Sequence, residues 1–193
     1  MRELISRIET EARYLGNGIV KVDSFLNHCI DTVLMTHIGL ALARQLESSG
    51  IGEIDKVLTA ETSGIPPALT TAQALGVPVV YARKKKPATM TGDCYQSGAR
   101  SHTKGHPVTF HVSSEYLLPT DRVILVDDFL GFGDATEAML DIIGQSGATL
   151  RGIGYVLEKV YEKGRKHLTH LEIPVIALAR IDVQNDQIVV LKQ

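Results

Sequence analysis

Apolar residues in the first fifty positions recur about every four residues, which predicts two amphipathic helices. The first run is Leu4, Ile8, Ala12 and Leu15, and the second is Leu34, Ile38, Leu42 and Leu46. The first predicted helix ends at Gly16, and the second ends at Ser48-Ser49-Gly50. Asp31 precedes the second run and is its predicted N-cap.

From residue 56 onwards, short continuous apolar runs alternate with helical segments. The predicted strands are Lys56–Ala60, Val77–Ala82, Val123–Val126, Gly152–Leu157 and Val175–Ala179, with Gln187–Leu191 as an edge strand. The predicted helices among them run from Pro66 to Gly76 and from Asp134 to Ser146. Buried strands separated by helices of about ten residues are typical of right-handed βαβ units. The pattern therefore predicts an α/β fold with a Rossmann-like parallel sheet flanked by helices.

One long stretch, Arg83–Gly105, breaks this alternation. It is basic and polar, rich in Gly, Ser and Thr, and shows neither the helical nor the strand period. A segment of that length inside a compact domain is usually a functional lid or a disordered loop. We therefore predict a single domain over residues 1–193 that contains a mobile active-site loop over residues 83–105.

Composition narrows the function classes. The chain has 193 residues, 44% of them hydrophobic, and its 20 Lys and Arg against 22 Asp and Glu give a net charge of −2. That balance provides no basic field for nucleic acid. No apolar run approaches the ~18 residues of a membrane helix, and the two cysteines form no CxxC pair. We expect a cytoplasmic enzyme or binding domain with neither nucleic acid nor membrane as partner.

The most informative segment is Val123–Thr136, where an apolar strand leads into two acids and a glycine-containing turn. Ligands of open α/β sheets bind at the carboxyl ends of the strands. Asp127 and Asp128 point to opposite sides because strand side chains alternate, so they can address different groups, such as a ribose diol and magnesium-bound water. The turn and the following helix N-terminus can hold a phosphate. From these residues alone, a strand that simply ends in acids before a turn remains the alternative.

This segment resembles the phosphoribosyl-diphosphate (PRPP) signature of the type I phosphoribosyltransferases. Four other segments are similar, in the same order, to the bacterial branch of that family that uses xanthine: Val20–His28, Glu61–Ile65, Val77–Lys84 and Gly152–Lys159. The resemblance extends from about Ile8 to Ile181. It implies the type I phosphoribosyltransferase fold, with a small hood formed by the N- and C-terminal segments. It also implies a homodimer that transfers phosphoribosyl from PRPP to xanthine, giving xanthosine 5'-monophosphate and pyrophosphate.

The resemblance also implies a role for each site residue. Asp127 and Asp128 would be the catalytic acids that hold the ribose hydroxyls, and Mg²⁺ would be bound mainly through PRPP and water. The PRPP 5-phosphate would be bound by Gly131, Phe132, Gly133, Asp134 and Ala135. Xanthine would be bound by Val20, Asn27 and Lys159. Pyrophosphate would be bound by Ser63, Gly64, Arg83 and Lys84.

Two alternatives stay open. The first is a phosphoribosyltransferase for another purine, either hypoxanthine and guanine or adenine; Lys159 favours an oxopurine, because an ammonium donates to a 6-oxo group but not to an amino group. The second is a purine regulator that senses PRPP. Only about twenty residues precede the segment at Val20, too few for a winged helix, and the net charge of −2 does not suit DNA. We therefore expect an enzyme.

Overall fold

Four α-helices and ten β-strands lie within residues 1–99 and 107–192, the part of the chain that the computed structural model describes. The helices are α1 (Arg2–Glu11), α2 (Thr32–Ser48), α3 (Ile65–Leu75) and α4 (Asp134–Ser146). The strands are β1 (Arg13–Tyr14), β2 (Val20–Lys21), β3 (Lys56–Ala60), β4 (Val79–Ala82), β5 (Cys94–Ala99), β6 (Val108–Ser113), β7 (Arg122–Leu130), β8 (Thr149–Lys159), β9 (Val175–Gln184) and β10 (Gln187–Val190). Shorter helical turns are Asp23–Asn27, Val160–Glu162 and Gly164–Leu168.

The central sheet has six strands in the order β10-β9-β8-β7-β3-β4. All neighbouring pairs are parallel except β9–β10, where β10 closes one edge in antiparallel pairing. One hydrophobic cluster packs α2 and α3 on the sheet, and a second packs α4 on it. This arrangement confirms the predicted Rossmann-like sheet and its edge strand. In the described ranges, no helix is both long enough and apolar enough to cross a membrane.

Most predicted elements form, but their ends differ. The first helix stops at Glu11 instead of Gly16, because Ala12 is extended and the next two residues pair with Val20–Lys21 as a small hairpin. Strand β7 continues past the predicted Val123–Val126 to Leu130, so that both aspartates lie within the paired strand. Asp31 caps α2 as predicted, since its Oδ1 accepts the N–H groups of the next turn at 3.1 Å.

The stretch predicted to be a loop without regular structure contains a strand. Residues Cys94–Ala99 form β5, which pairs with β6 in an antiparallel two-stranded sheet, so the prediction was wrong for these positions. Pairing with a distant partner stabilises this strand, and local periodicity does not report such pairing. Residues 100–106 lie outside the described residues, and the mobility of the segment stays a prediction.

The N-terminal segment packs against the C-terminal strand, with α1 and β1 both lying beside β10. Arg7 of α1 connects this N-terminal part of the hood to the turn Asp23–Asn27 and to the start of α2. Its guanidinium pairs with Glu11 and with Asp31 at 2.7 Å, and it lies 5.2 Å from the centre of the Phe25 ring. Ser24 donates to the same Glu11 carboxylate at 2.7 Å. The turn Asp23–Asn27 is therefore held by Arg7 and Glu11 of α1, and its Phe25 carbonyl accepts the backbone N–H of Asp31 at 3.1 Å.

A buried carboxylate supports the segment that follows β8. Glu158 has only 4% of its side chain exposed and receives the guanidinium of Arg165 through bonds of 2.7–2.9 Å, and that of Arg180 at 3.2 Å. Arg165 also donates to the Val175 carbonyl at 2.9 Å. The adjacent Gly164 N–H donates to the Gly131 carbonyl at 3.0 Å. The Glu158 cluster thus fixes the turn on which the glycine-containing loop after β7 rests.

We expect Glu158→Ala to lower the free energy of unfolding by about 2 kcal/mol or more, because two guanidinium groups lose a buried partner. Urea denaturation measures the change. Glu53→Ala is the matched control, since Glu53 pairs with Arg122 at 2.5 Å but has 84% of its side chain exposed. The control should lose less than about 1 kcal/mol. Equal losses in the two variants would contradict the role of burial.

Candidate active site

The two aspartates lie near the carboxyl end of β7, between β3 and β8. Asp128 is buried and its Oδ2 accepts the side-chain amide of Asn27 at 3.1 Å. Asp127 is half-buried and its Oδ1 accepts the backbone N–H of Asp128 at 2.9 Å. The Asp127 carboxylate lies against Gly64 in the turn after β3. Asp127 therefore contacts the turn after β3 and Asp128 contacts Asn27, but the two carboxyl groups also interact with each other, so they are less separated than strand alternation predicts.

The electrostatics of this pair favour a cation or a hydroxyl donor. Burial, and then the negative charge of Asp128, raise the pKa of Asp127 well above its ordinary value; nearby Lys84 opposes this shift weakly. A raised carboxyl pKa means that the ionised form lacks sufficient compensating positive charge or hydrogen-bond donors. A ligand that brings hydroxyl groups or hydrated metal to the pair would supply them.

The turn after β3 brings its backbone directly to the acids. The Glu61–Thr62 peptide in this turn is cis. Gly64 is buried, and a Cβ there would collide with the Thr59 hydroxyl and with the Asp127 carboxylate. Ser63, the preceding residue, is half-buried. Gly64, one of the predicted pyrophosphate-binding residues, therefore lies beside Asp127, and this close approach requires glycine.

The cationic residues after β4 are joined to the same turn. Glu61 accepts the backbone N–H of Lys84 at 2.6 Å, and its carboxylate lies 3.4 Å from the Arg83 guanidinium. Arg83 also donates to the Tyr81 hydroxyl at 3.2 Å. Glu61 lies in the segment predicted to be the pyrophosphate loop, but the resemblance implied no role for its side chain. Its acidic side chain, next to a turn and opposite a basic run, was the available signal.

The glycine-containing loop connects β7 to α4. Gly133 is the N-cap of α4 with a φ of +99°, a left-handed conformation that favours glycine, and Asp134 is the first helical residue. The first N–H groups of a helix have no partner within the helix, and groups of this kind can bind an anion. Phe132 is exposed and Ala135 is half-buried. The loop therefore leads directly into a helix N-terminus, and its binding of phosphate stays a prediction.

The three residues predicted to bind the base have different surroundings. The side-chain amide of Asn27 donates to one of the two acids, Asp128. Lys159 lies at the end of β8, where its ammonium is 5.2 Å from the centre of the Phe129 ring and donates to the Gly18 carbonyl at 3.1 Å. Val20 is 8% exposed and belongs to the hydrophobic core, which leaves little of its side chain for a ligand.

Comparison with known proteins agrees with this geometry. The phosphoribosyl transferase domain matches residues 34–183. The chain belongs to the phosphoribosyltransferase family. Among its relatives, the xanthine phosphoribosyltransferase of Moorella thermoacetica is 47% identical over 178 residues, covering 92% of this chain and 89% of the relative. That of Deinococcus deserti is 46% identical over 181 residues, covering 94% and 92%.

Solved structures place the phosphoribosyltransferase chain in the same fold. The adenine phosphoribosyltransferase of Trypanosoma brucei superposes with a TM-score of 0.75 at 19% identity, covering 92% of this chain and 79% of that one. The enzyme of the same name from Rhodothermus marinus gives a TM-score of 0.72 at 21% identity, covering 93% and 99%. Both confirm the type I phosphoribosyltransferase fold. The phosphoribosyl transferase domain and the relatives at 46–47% identity make the chain a pentosyltransferase.

The side chains at the site of this phosphoribosyltransferase suit a metal ion that takes most of its ligands from water and substrate. Within residues 1–99 and 107–192, no group of three His, Cys, Asp or Glu side chains could hold an ion. The paired carboxylates of Asp127 and Asp128 offer hard oxygen atoms, the ligand type that Mg²⁺ prefers. Mg²⁺ usually retains several waters and is completed by substrate phosphates, so two acids are compatible with it.

We expect Asp127→Asn to raise the melting temperature of the free protein by several degrees at neutral pH. Because the folded pKa is raised, the native state binds more protons than the unfolded state between the ordinary pKa near 3.8 and the higher folded value. Stability therefore falls as pH rises through that range. The variant escapes this loss, so its advantage should vanish below pH 3.8. Calorimetric scans across pH measure it, and an advantage independent of pH would refute the assignment.

We expect Gly64→Ala to weaken PRPP binding at least tenfold, since the added methyl displaces the turn from Thr59 and Asp127. Titration calorimetry with PRPP and magnesium measures the loss. Gly144→Ala in α4 is the matched control, because a Cβ there meets nothing within 4 Å. The control should bind PRPP normally. If both variants bind as well as wild type, the turn does not form part of the site.

Proposed function

We propose that the chain is a xanthine phosphoribosyltransferase, which transfers the phosphoribosyl group of PRPP to xanthine and releases pyrophosphate. The relatives named for that activity share 46–47% identity over most of the chain. The contact that carries the proposal is the hydrogen bond between Asn27 and Asp128. It puts the segment that resembles a base-recognition motif within 3.1 Å of an acid on the strand that precedes the phosphate loop.

In this proposal, four segments of the chain bind different parts of PRPP. The loop of Gly131, Phe132, Gly133, Asp134 and Ala135 binds the 5-phosphate through N–H groups at the start of α4. Asp127 and Asp128 hold the ribose hydroxyls. Ser63 and Gly64, with Arg83 and Lys84, bind the departing pyrophosphate. Positive charge develops on the ribose ring as pyrophosphate leaves, and two fixed carboxylates stabilise it.

The base lies between Asn27 and Lys159 in this arrangement. Lys159 donates to the 6-oxo group and Asn27 addresses the 2-oxo group, which xanthine has and hypoxanthine lacks. A charged hydrogen bond contributes about 1.5–3 kcal/mol, enough to discriminate between bases. Val20 contributes only the small part of its side chain that the core leaves exposed. An adenine amino group offers the lysine no acceptor, which disfavours adenine.

Magnesium, the oligomeric state and the location belong to the same proposal. Asp127 and Asp128 would hold Mg²⁺ through its waters, while PRPP supplies its phosphate oxygens; the ion would neutralise charge on the pyrophosphate. Small-molecule substrates are the partners, and we propose a cytoplasmic homodimer, as the resemblance implies. Both cysteines, Cys29 and Cys94, are free, as expected in a reducing compartment.

The deciding experiment is a turnover assay with PRPP and magnesium on xanthine, hypoxanthine, guanine, adenine and uracil. Xanthine should be consumed with release of one pyrophosphate per nucleotide, and kcat/KM should be highest for xanthine. A higher value for another purine would replace xanthine as the substrate. Absence of turnover on all five bases, together with no PRPP binding, would refute the proposed activity.

We expect Asn27→Ala to reduce the preference for xanthine over hypoxanthine by about tenfold, because one hydrogen bond to the 2-oxo group is lost. The ratio of the two kcat/KM values measures this. Asn185→Gly is the matched control; Asn185 lies in the β9–β10 turn at a φ of +50°, which glycine tolerates. The control should leave the ratio unchanged. An unchanged ratio in Asn27→Ala would remove Asn27 from base recognition.

A further inference from the structure

A buried carboxylate lies at the junction of the base site and the phosphate loop. Glu162 belongs to the short helical turn after β8, and only 8% of its side chain is exposed. Its Oε1 is 3.3 Å from the Lys159 ammonium. Its Oε2 lies so close to Gly131 that any Cβ on that residue would collide with it. One acidic side chain therefore contacts a residue from each of the two proposed subsites.

The surroundings of Glu162 fix the carboxylate in this position. The Gly18 carbonyl of the hood accepts both Lys159, at 3.1 Å, and the Tyr161 hydroxyl, at 2.9 Å. Gly18 also leaves room for the Glu162 carboxylate, because a Cβ on residue 18 would be only 3.0 Å from Oε1. On the other side, Gly164 packs on the Gly131 carbonyl. The turn that carries Glu162 is thus held at both of its ends.

The charge of Glu162 has the same sign as the ligand expected next to it. A phosphate group at the loop would be doubly negative, and like charges in a partly desolvated site repel. Lys159 compensates only part of the field, because it lies beside Oε1 while Oε2 faces Gly131. Replacing the acid with a neutral residue adds one unit of positive charge to the junction.

We propose that the negative charge of Glu162, which lies between Lys159 and the phosphate loop, lowers the affinity of the site for its anionic substrate. This inference rests on the proposed function for the nature of the ligand. Glu162 weakens phosphate binding at Gly131, and its pairing with Lys159 reduces the attraction of that lysine for negatively charged bases. A neutral residue at position 162 therefore binds the sugar phosphate more tightly.

The test is the binding of ribose 5-phosphate to the full chain by titration calorimetry, at low and at high ionic strength. Glu162→Gln keeps the size and the acceptor oxygen but removes the charge, and should lower Kd about three- to tenfold at low salt. Glu162→Asp retains the charge but withdraws it from Gly131, and should lower Kd about twofold. Salt should reduce both differences, since screening weakens interactions between charges.

Glu172→Gln is the matched control. It makes the same change of charge at an exposed position before β9, at the opposite edge of the sheet, and should leave Kd unchanged. If Glu162→Gln fails to fold, Glu162→Asp carries the test. Wild-type binding with no gain in the folded Glu162 variants, or a gain unaffected by salt, would overturn the role of Glu162 and leave the proposed function standing. No binding by wild type or any variant would overturn the phosphate site as well.

Discussion

The parallel pairing of β7 with β3 on one side and β8 on the other is the constraint on which the site depends. Parallel neighbours end at the same edge of a sheet, so the segments that follow them must meet there. The turn after β3, the acids near the end of β7 and Lys159 at the end of β8 are brought together in this way. None of them is near another in the sequence. Loss of this register would separate all three.

Charge compensation is a second organising feature of that edge. Glu61 receives Arg83 and the Lys84 backbone, Asp128 receives the Asn27 amide, and Glu162 receives Lys159. Polar groups that await a ligand would otherwise be costly to bury. Substrate groups can replace these internal partners when they arrive, so binding exchanges one set of contacts for another. Such exchange makes specificity depend on the difference between two sets of hydrogen bonds.

Much of the fold could be predicted from the sequence because its signals are local. The apolar run at Lys56–Ala60, the Asp31 cap and the stop at Gly76 each reflect short-range chemistry, and all three occur as predicted. The β5–β6 pairing joins residues far apart in sequence, which periodicity does not detect. The residues of the site also divide into those with a local sequence signal and those that depend on distant contacts. The acids and the glycine loop have a motif, whereas Glu162 is recognisable only once the turn after β8 places it against Gly131.

The Gly18 carbonyl, which accepts both Lys159 and Tyr161, has a consequence for how the molecule assembles. This single backbone oxygen, within the first twenty residues, accepts hydrogen bonds from an ammonium at the end of β8 and from a phenol in the turn after β8. The amino-terminal hairpin can acquire these bonds only after β8 and its following turn are in place. Displacement of this hairpin would therefore leave the Lys159 ammonium and the Tyr161 hydroxyl without their shared acceptor.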